Sequence, residues 1–290
     1  MRIKIFANFC DSAMCKAHYE RVCDIKQLAN YGPDKALYLT TGEDYTHAII
    51  INTAMPVLKN IGKEKVLGLA FEPPAFLKMT PEFIEYAKKY IGKYFIGCKT
   101  IELPDLFKEH YAYLWHISPL PLNYVPVKTR RMSIMVSEKK SAHGHRYRHT
   151  LVQNILSTGL PIDIYGRGTL EYKTKSIYKH DPRLKGEFTE LEPYAHYDFH
   201  ICIENCTTNV YFSEKITNAL LCSSTPIYWG CTQIQGYFPG NVIMLTGTIE
   251  KDIALLRLIL AAPEKYKTPV NVPLIKDQLN LLKNVDRLFS

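Results

Sequence analysis

The run Phe199-His200-Ile201-Cys202-Ile203 reads as a strand and ends in Glu204-Asn205; soon after, Tyr211-Phe212-Ser213-Glu214-Lys215-Ile216 opens a helical pattern. A buried strand of an open α/β sheet delivers its last residues to the edge where ligands sit. A helix starting near Ser213 turns free N–H groups and the positive end of its dipole toward an anion. Lys215 is badly placed for that dipole unless an anion lies beside it, although a plain Glu214–Lys215 surface pair accounts for the same two residues. Glu214 can hold ribose or sugar hydroxyls with both carboxylate oxygens. Anion binding beside hydroxyl binding is the chemistry of a sugar-nucleotide site.

Charge and composition narrow the classes. The 290 residues hold 36 Lys and Arg against 28 Asp and Glu, a net charge of +8, with 47% hydrophobic and 22% charged residues. That is ordinary globular composition and excludes a disordered chain. The densest basic stretches are Lys128-Thr129-Arg130-Arg131 and the segment from Lys139 to His149, which holds His143, His145, Arg146, Arg148 and His149. No helix-turn-helix, RNP or zinc-finger pattern accompanies them, so nucleic acid is not expected as a partner. A nucleotide diphosphate needs only a few cations; a solvated surface is the plain alternative. No apolar run approaches the roughly 20 residues of a membrane span. Met1 to Asn8 alternates like a strand and lacks a signal-peptide core, so a soluble, cytoplasmic protein is expected. Cys10, Cys15, Cys23, Cys98, Cys202, Cys206, Cys222 and Cys231 show no zinc-ligand spacing. They are expected to be mostly reduced and buried.

The elements that must position these residues alternate as in α/β folds. Strands are expected at 2–6, 46–51, 66–71, 94–97, 132–136, 161–166, 199–203, 225–229 and 242–245. Helices are expected at 11–30, 81–91, 146–157, 187–196, 213–221, 248–260 and 274–289. Thr80 followed by Pro81 is a helix start. The segment 118–131, with Pro119, Pro121 and Pro126, cannot be continuous helix or central strand. The domain junction is placed there, giving a domain over 1–125 and a second over 126–290 that includes the closing helices. Two Rossmann-like domains facing a central cleft are expected.

The segment from Phe199 through Thr225-Pro226-Ile227-Tyr228-Trp229-Gly230 resembles the donor-binding signature of the α-1,3/1,4-fucosyltransferases, glycosyltransferase family 10. Their pattern runs approximately F-x-I-x-F-E-N-S, a short gap, Y-V/F-T-E-K, then I-P-I/V-Y-W-G. This chain departs from it with Ile203 for Phe, Cys206 for Ser and Ser213 for Thr. The resemblance extends upstream over Ser133–Gly166, including Ile162-Asp163-Ile164-Tyr165-Gly166, and downstream to Tyr237-Phe238-Pro239. It implies a GT-B fold and transfer of L-fucose from GDP-fucose to a hydroxyl of a glycan acceptor by one inverting displacement. It also implies that Lys215 and an early arginine of the basic helix, Arg148 with Arg146 close behind, hold the pyrophosphate. Asn205, Tyr211, Glu214 and Tyr165 would contact the nucleotide or the sugar, though Tyr211 also reads as an aromatic packed at a helix entry.

A smaller island, Ala70-Phe71-Glu72-Pro73-Pro74-Ala75-Phe76, is similar to the family's Glu-Ser-Pro island, in which an acid serves as general base. Glu72 is its only acid, and apolar neighbours would raise a carboxyl toward the operating pH; an ordinary loop carboxylate is the rival reading. No Asp-x-Asp motif is present, so no metal and no cofactor beyond the donor substrate is expected. Two rival functions share this sequence: a GT-B transferase using another nucleotide sugar, such as a xylosyltransferase, and a non-catalytic glycan- or nucleotide-binding relative.

Overall fold

A computed structural model describes residues 1–100, 102–117, 120 and 126–290 of the chain. It divides into two compact units: residues 1–119, 208–211 and 273–290 form the first, and 120–207 with 212–272 form the second. The expected junction at 118–131 lies partly outside the described residues, including Pro119, Pro121 and the 125/126 boundary.

In the first unit, β1 (Arg2–Ala7) leads to α1 (Ser12–Val22), β2 (Tyr38–Leu39), β3 (His47–Ile51), β4 (Val66–Leu69), α2 (Pro74–Leu77), α3 (Pro81–Tyr90), β5 (Lys93–Ile96) and β6 (Phe107–Glu109). The strands lie in the order β2-β1-β3-β4-β5-β6, and each pairing is parallel. Parallel strands covered on both faces must be apolar throughout. Ala48–Ile51 and Val66–Leu69 are accordingly buried from end to end. The Thr80 hydroxyl accepts from the Phe83 N–H at 3.2 Å, with Pro81 opening α3, which is the start expected. The helix expected over 11–30 instead ends at Val22, because Asp24 turns left-handed at φ 49°.

The second unit contains β7 (Arg130–Met135), α4 (His143–Ser157), β8 (Asp163–Tyr165), α5 (Thr169–Lys173), β9 (Leu184–Gly186), α6 (Glu192–Ala195), β10 (Tyr197–Thr208, of which Thr208 groups with the first unit), α7 (Glu214–Leu221), β11 (Thr225–Cys231), α8 (Ile234–Tyr237), β12 (Ile243–Met244) and α9 (Ile249–Ala261). Its order is β12-β11-β10-β7-β8-β9. Counted from its own first strand this is the 3-2-1-4-5-6 order of a Rossmann fold, whose switch point lies between β7 and β10. Met132, Ile134, Phe199, Ile201 and Ile203 of those two strands sit in one core with Leu151, Val152 and Ile155 of α4.

Three expectations change. The helix expected over 187–196 shrinks to α6: Gly186 adopts a left-handed φ of 86° and the Glu192 carboxylate accepts from the Thr189 N–H at 2.8 Å, forming a turn first. The closing helix divides into α10 (Val272–Leu279) and α11 (Leu281–Phe289), since the Asn280 side chain caps the second by accepting from the Lys283 N–H at 3.0 Å. Residues 273–290 group with the first unit and not with the second, to which reading along the chain assigned them. The Asn280 amide donates to the Cys23 carbonyl at 2.8 Å, and Leu281, Leu282, Val285 and Leu288 are buried on that side.

Candidate functional site

A cavity of about 430 Å³ opens at the switch point of the second unit. Its walls come from the end of β7 (Met135 to Ser137), the turn after β8 (Gly166, Arg167), the turn after β9 (Glu187, Phe188), and His200 to Ile203 of β10. Arg148 of α4 and Glu214 and Lys215 of α7 complete it. Of the residues named from the sequence, these last three are the ones brought together on its wall.

Glu204, within β10, organises this corner and has no solvent exposure. Its carboxylate accepts from the Ser213 N–H at 2.8 Å and from the Ser213 hydroxyl at 2.7 Å, and the Lys215 ammonium stands 3.5 Å away. Lys215 also donates to the Ser213 hydroxyl at 2.9 Å and to Glu214 at 3.2 Å. Burial alone would push the Lys215 ammonium down, but Glu214 and Glu204 outweigh it and hold its pKa above the ordinary lysine value. Burial would likewise push Glu214 up, yet Lys215 holds that carboxyl below its ordinary value. The lysine is therefore charged and fixed.

Two glycines make room for Glu204, one for its backbone and one for its side chain. A Cβ on Gly144 would lie 1.8 Å from the Glu204 carbonyl oxygen, and one on Gly230 would lie 2.4 Å from Glu204 Cγ. Gly144 lets α4 begin at His143, three residues before the expected start, and abut β10 at Glu204 and Asn205. His145 accepts from the Ala142 N–H at 3.2 Å and hydrogen-bonds Asn205. Asn205 thus steadies the helix start, outside the cavity wall.

Arg148 is buried and donates to the Ile203 carbonyl. Burial lowers its pKa, and the neighbouring Glu204 and Glu214 oppose that. Arg146 is exposed and donates to the Ser141 carbonyl at 2.7 Å. The Tyr165 hydroxyl is 2.9 Å from that of Tyr197, which donates to Asp163 at 2.6 Å. Its ring meets Phe188 edge-on at 6.1 Å. Tyr211 is buried and groups with the first unit, where the Val210 N–H donates to Gly97 at 3.3 Å.

Sequence reading missed Phe188, Arg167 and His200 as wall residues. Phe188 is 40% exposed and offers an aromatic face; the helical pattern expected around it hid that role. His200 is buried, with Nδ1 2.8 Å from the Ser133 hydroxyl and 3.1 Å from the Pro193 carbonyl. Burial pushes its pKa down to about 3, so it is neutral at physiological pH.

Glu72 lies in the first unit, half-buried in the turn between β4 and α2. The preceding Phe71 N–H donates to Asn52 Oδ1 at 2.8 Å. The Phe71 ring lies 6.1 Å from both Phe9 and Trp115, which meet each other edge-on at 5.3 Å. Among the described residues no group of three or more His, Cys, Asp and Glu side chains is placed to hold a metal ion.

Comparison with known proteins follows the same division. Residues 125–244 match the family model described as glycosyltransferase family 10 (fucosyltransferase) C-term. A protein of Acanthamoeba polyphaga mimivirus named "Putative fucosyltransferase" is 25% identical over 214 residues, which is 66% of this chain and 32% of the relative. The chain thus spans about a third of that relative's length. Among solved structures, an alpha-1,3-fucosyltransferase with GDP-fucose is similar over 100% of this chain and 90% of its own, at TM-score 0.54 and 12% identity. Anabaena HepE in complex with UDP-glucose is similar over 100% and 98%, at TM-score 0.57 and 11% identity. These likenesses are of fold: the pair of parallel-sheet domains of the GT-B type.

Proposed function

We propose that the protein transfers L-fucose from GDP-fucose to a hydroxyl of a glycan acceptor, by a single inverting displacement that needs no metal, a reading supported by the match of residues 125–244 to the glycosyltransferase family 10 model. The observation that carries this reading is the fixed Lys215–Glu214 pair beside buried Arg148 at a Rossmann switch point. Lys215 and Arg148 hold the diphosphate, with Arg146 flanking it, and Glu214 takes the sugar or ribose hydroxyls. Asn205, Tyr165 and Tyr211 support nucleotide or fucose binding, and Phe188 offers a face for the base.

In the reaction, Glu72 accepts the proton of the acceptor hydroxyl as its oxygen attacks the anomeric carbon. The bond to the diphosphate oxygen breaks and GDP leaves with its new charge balanced by Lys215 and Arg148. Side-chain cations then do the work a metal does in other transferases. A cytoplasmic site of action belongs to the same proposal; no described helix is long and apolar enough to cross a membrane.

The test is a panel of nucleotides in thermal unfolding. A ligand that binds only the folded protein stabilises it by RT ln(1+[L]/Kd), about 2.7 kcal/mol at a hundredfold excess over Kd. GDP and GDP-fucose should raise Tm, and GDP-fucose should be slowly hydrolysed. The HepE-like fold makes UDP the informative control: a shift with UDP and none with GDP rejects fucose as the donor sugar. Nucleotide binding with neither hydrolysis nor transfer leaves a non-catalytic binding protein.

A further inference from the structure

Cys10 and Cys15 flank the start of α1 with their sulfur atoms 3.4 Å apart. The spacing has a local cause. Asp11 caps α1, its side chain accepting from the Met14 N–H at 2.8 Å. Cys10 is therefore the residue before the cap and Cys15 the fourth residue of the helix. Those two positions meet in the hydrophobic staple, where a pair of apolar side chains normally fixes the angle at which the chain enters a helix. Here both staple positions carry thiols.

We propose that Cys10 and Cys15 form a reversible disulfide, a modification site at the corner between β1 and α1. The sulfurs must close by about 1.4 Å to reach the disulfide bond length of about 2.0 Å. Cys10 is half-buried while Cys15 has no exposure, which sets the order of events. A small disulfide such as oxidised glutathione reacts first at Cys10: its thiolate attacks one sulfur, forming a mixed disulfide and releasing one glutathione thiolate. The Cys15 sulfur then attacks Cys10, its proton passing to the second departing glutathione. Two protein thiols are oxidised and one glutathione disulfide is reduced to two thiols. Burial holds the Cys15 thiol protonated, so the second step is slow and depends on the enforced proximity.

The bridge would lock the turn that carries Phe9, which packs 5.3 Å from Trp115 and 6.1 Å from Phe71. Oxidation therefore rigidifies the aromatic group that Phe9 forms with Trp115 and Phe71.

The test treats the folded protein with oxidised glutathione, quenches with acid and digests with trypsin, which releases Ile5–Lys16 with both cysteines in one peptide. The expected result is this peptide lighter by two hydrogens, restored by dithiothreitol. Cys10→Ser should remove the bridge and leave Cys15 unmodified, whereas Cys15→Ser should trap glutathione on Cys10. The proposal fails if Cys10 keeps glutathione in the unsubstituted protein, or if the bridge appears only after unfolding in urea. It fails equally if Ile5–Lys16 stays reduced while the half-buried Cys98 takes up glutathione.

Discussion

The Lys215 ammonium stands 3.5 Å from a carboxylate oxygen of Glu204, an acid of β10 with no solvent exposure. That pair joins the strand to the first turn of α7 and gives the lysine a fixed direction. A buried ion pair is costly when one partner is removed, because the other keeps its desolvation penalty without its compensation.

Lys215→Ala should lower kcat/KM by at least about tenfold, since one charge-assisted contact to a diphosphate is worth about 1.4 kcal/mol or more. Steady-state kinetics with GDP-fucose measures this; unchanged kcat/KM places the diphosphate elsewhere.

Glu204→Gln keeps size and an oxygen for Ser213 but removes one of the two carboxylate charges, Glu214 and Glu204, that hold the Lys215 pKa above the ordinary lysine value. A lysine with a raised folded-state pKa contributes stability that is complete below the unfolded value and is lost as pH rises through the folded one. Removing Glu204 therefore moves the loss of GDP affinity to lower pH. Titration calorimetry from pH 7 upward compares the two proteins, and coincident profiles would reject the coupling.

Arg148→Ala should cost about tenfold in kcat/KM, by the same contact argument. Arg146→Ala should cost less, because its guanidinium is exposed and already donates to the Ser141 carbonyl at 2.7 Å. The reverse ranking would exchange their roles.

Glu72→Gln should reduce turnover by about 10²–10⁴-fold, the usual worth of general-base assistance. GDP affinity should stay nearly unchanged. Lost GDP binding would mean that Glu72 shapes the fold or the donor site, and near-normal turnover would assign the base to another acid.

Gly144→Ala should lower stability by about 1–3 kcal/mol, the usual cost of overpacking. The new methyl would lie 1.8 Å from the Glu204 carbonyl oxygen, so backbone must move. Chemical denaturation reads the loss, and an unchanged midpoint would show that α4 shifts freely.

The sequence by itself determined the elements whose cause is local. Apolar runs such as Ala48–Ile51 have no stable place except a covered parallel sheet, and Thr80-Pro81 is a helix start in any context. It also placed Glu204, Asn205, Glu214 and Lys215 on one strand–loop–helix unit, because they are close in the chain. Tertiary structure decided what depends on distant packing. Glu204 looked like a strand-end acid and is a buried anchor, a distinction set by Ser213 and by the space left at Gly144 and Gly230. Phe188 reached the cavity wall because Gly186 turns left-handed and breaks the helical pattern expected there. The last helices joined the first unit although they follow the second in sequence. Hydrophobic periodicity says that a face such as Leu281, Leu282, Val285 and Leu288 must be buried, but chain order does not say against which partner.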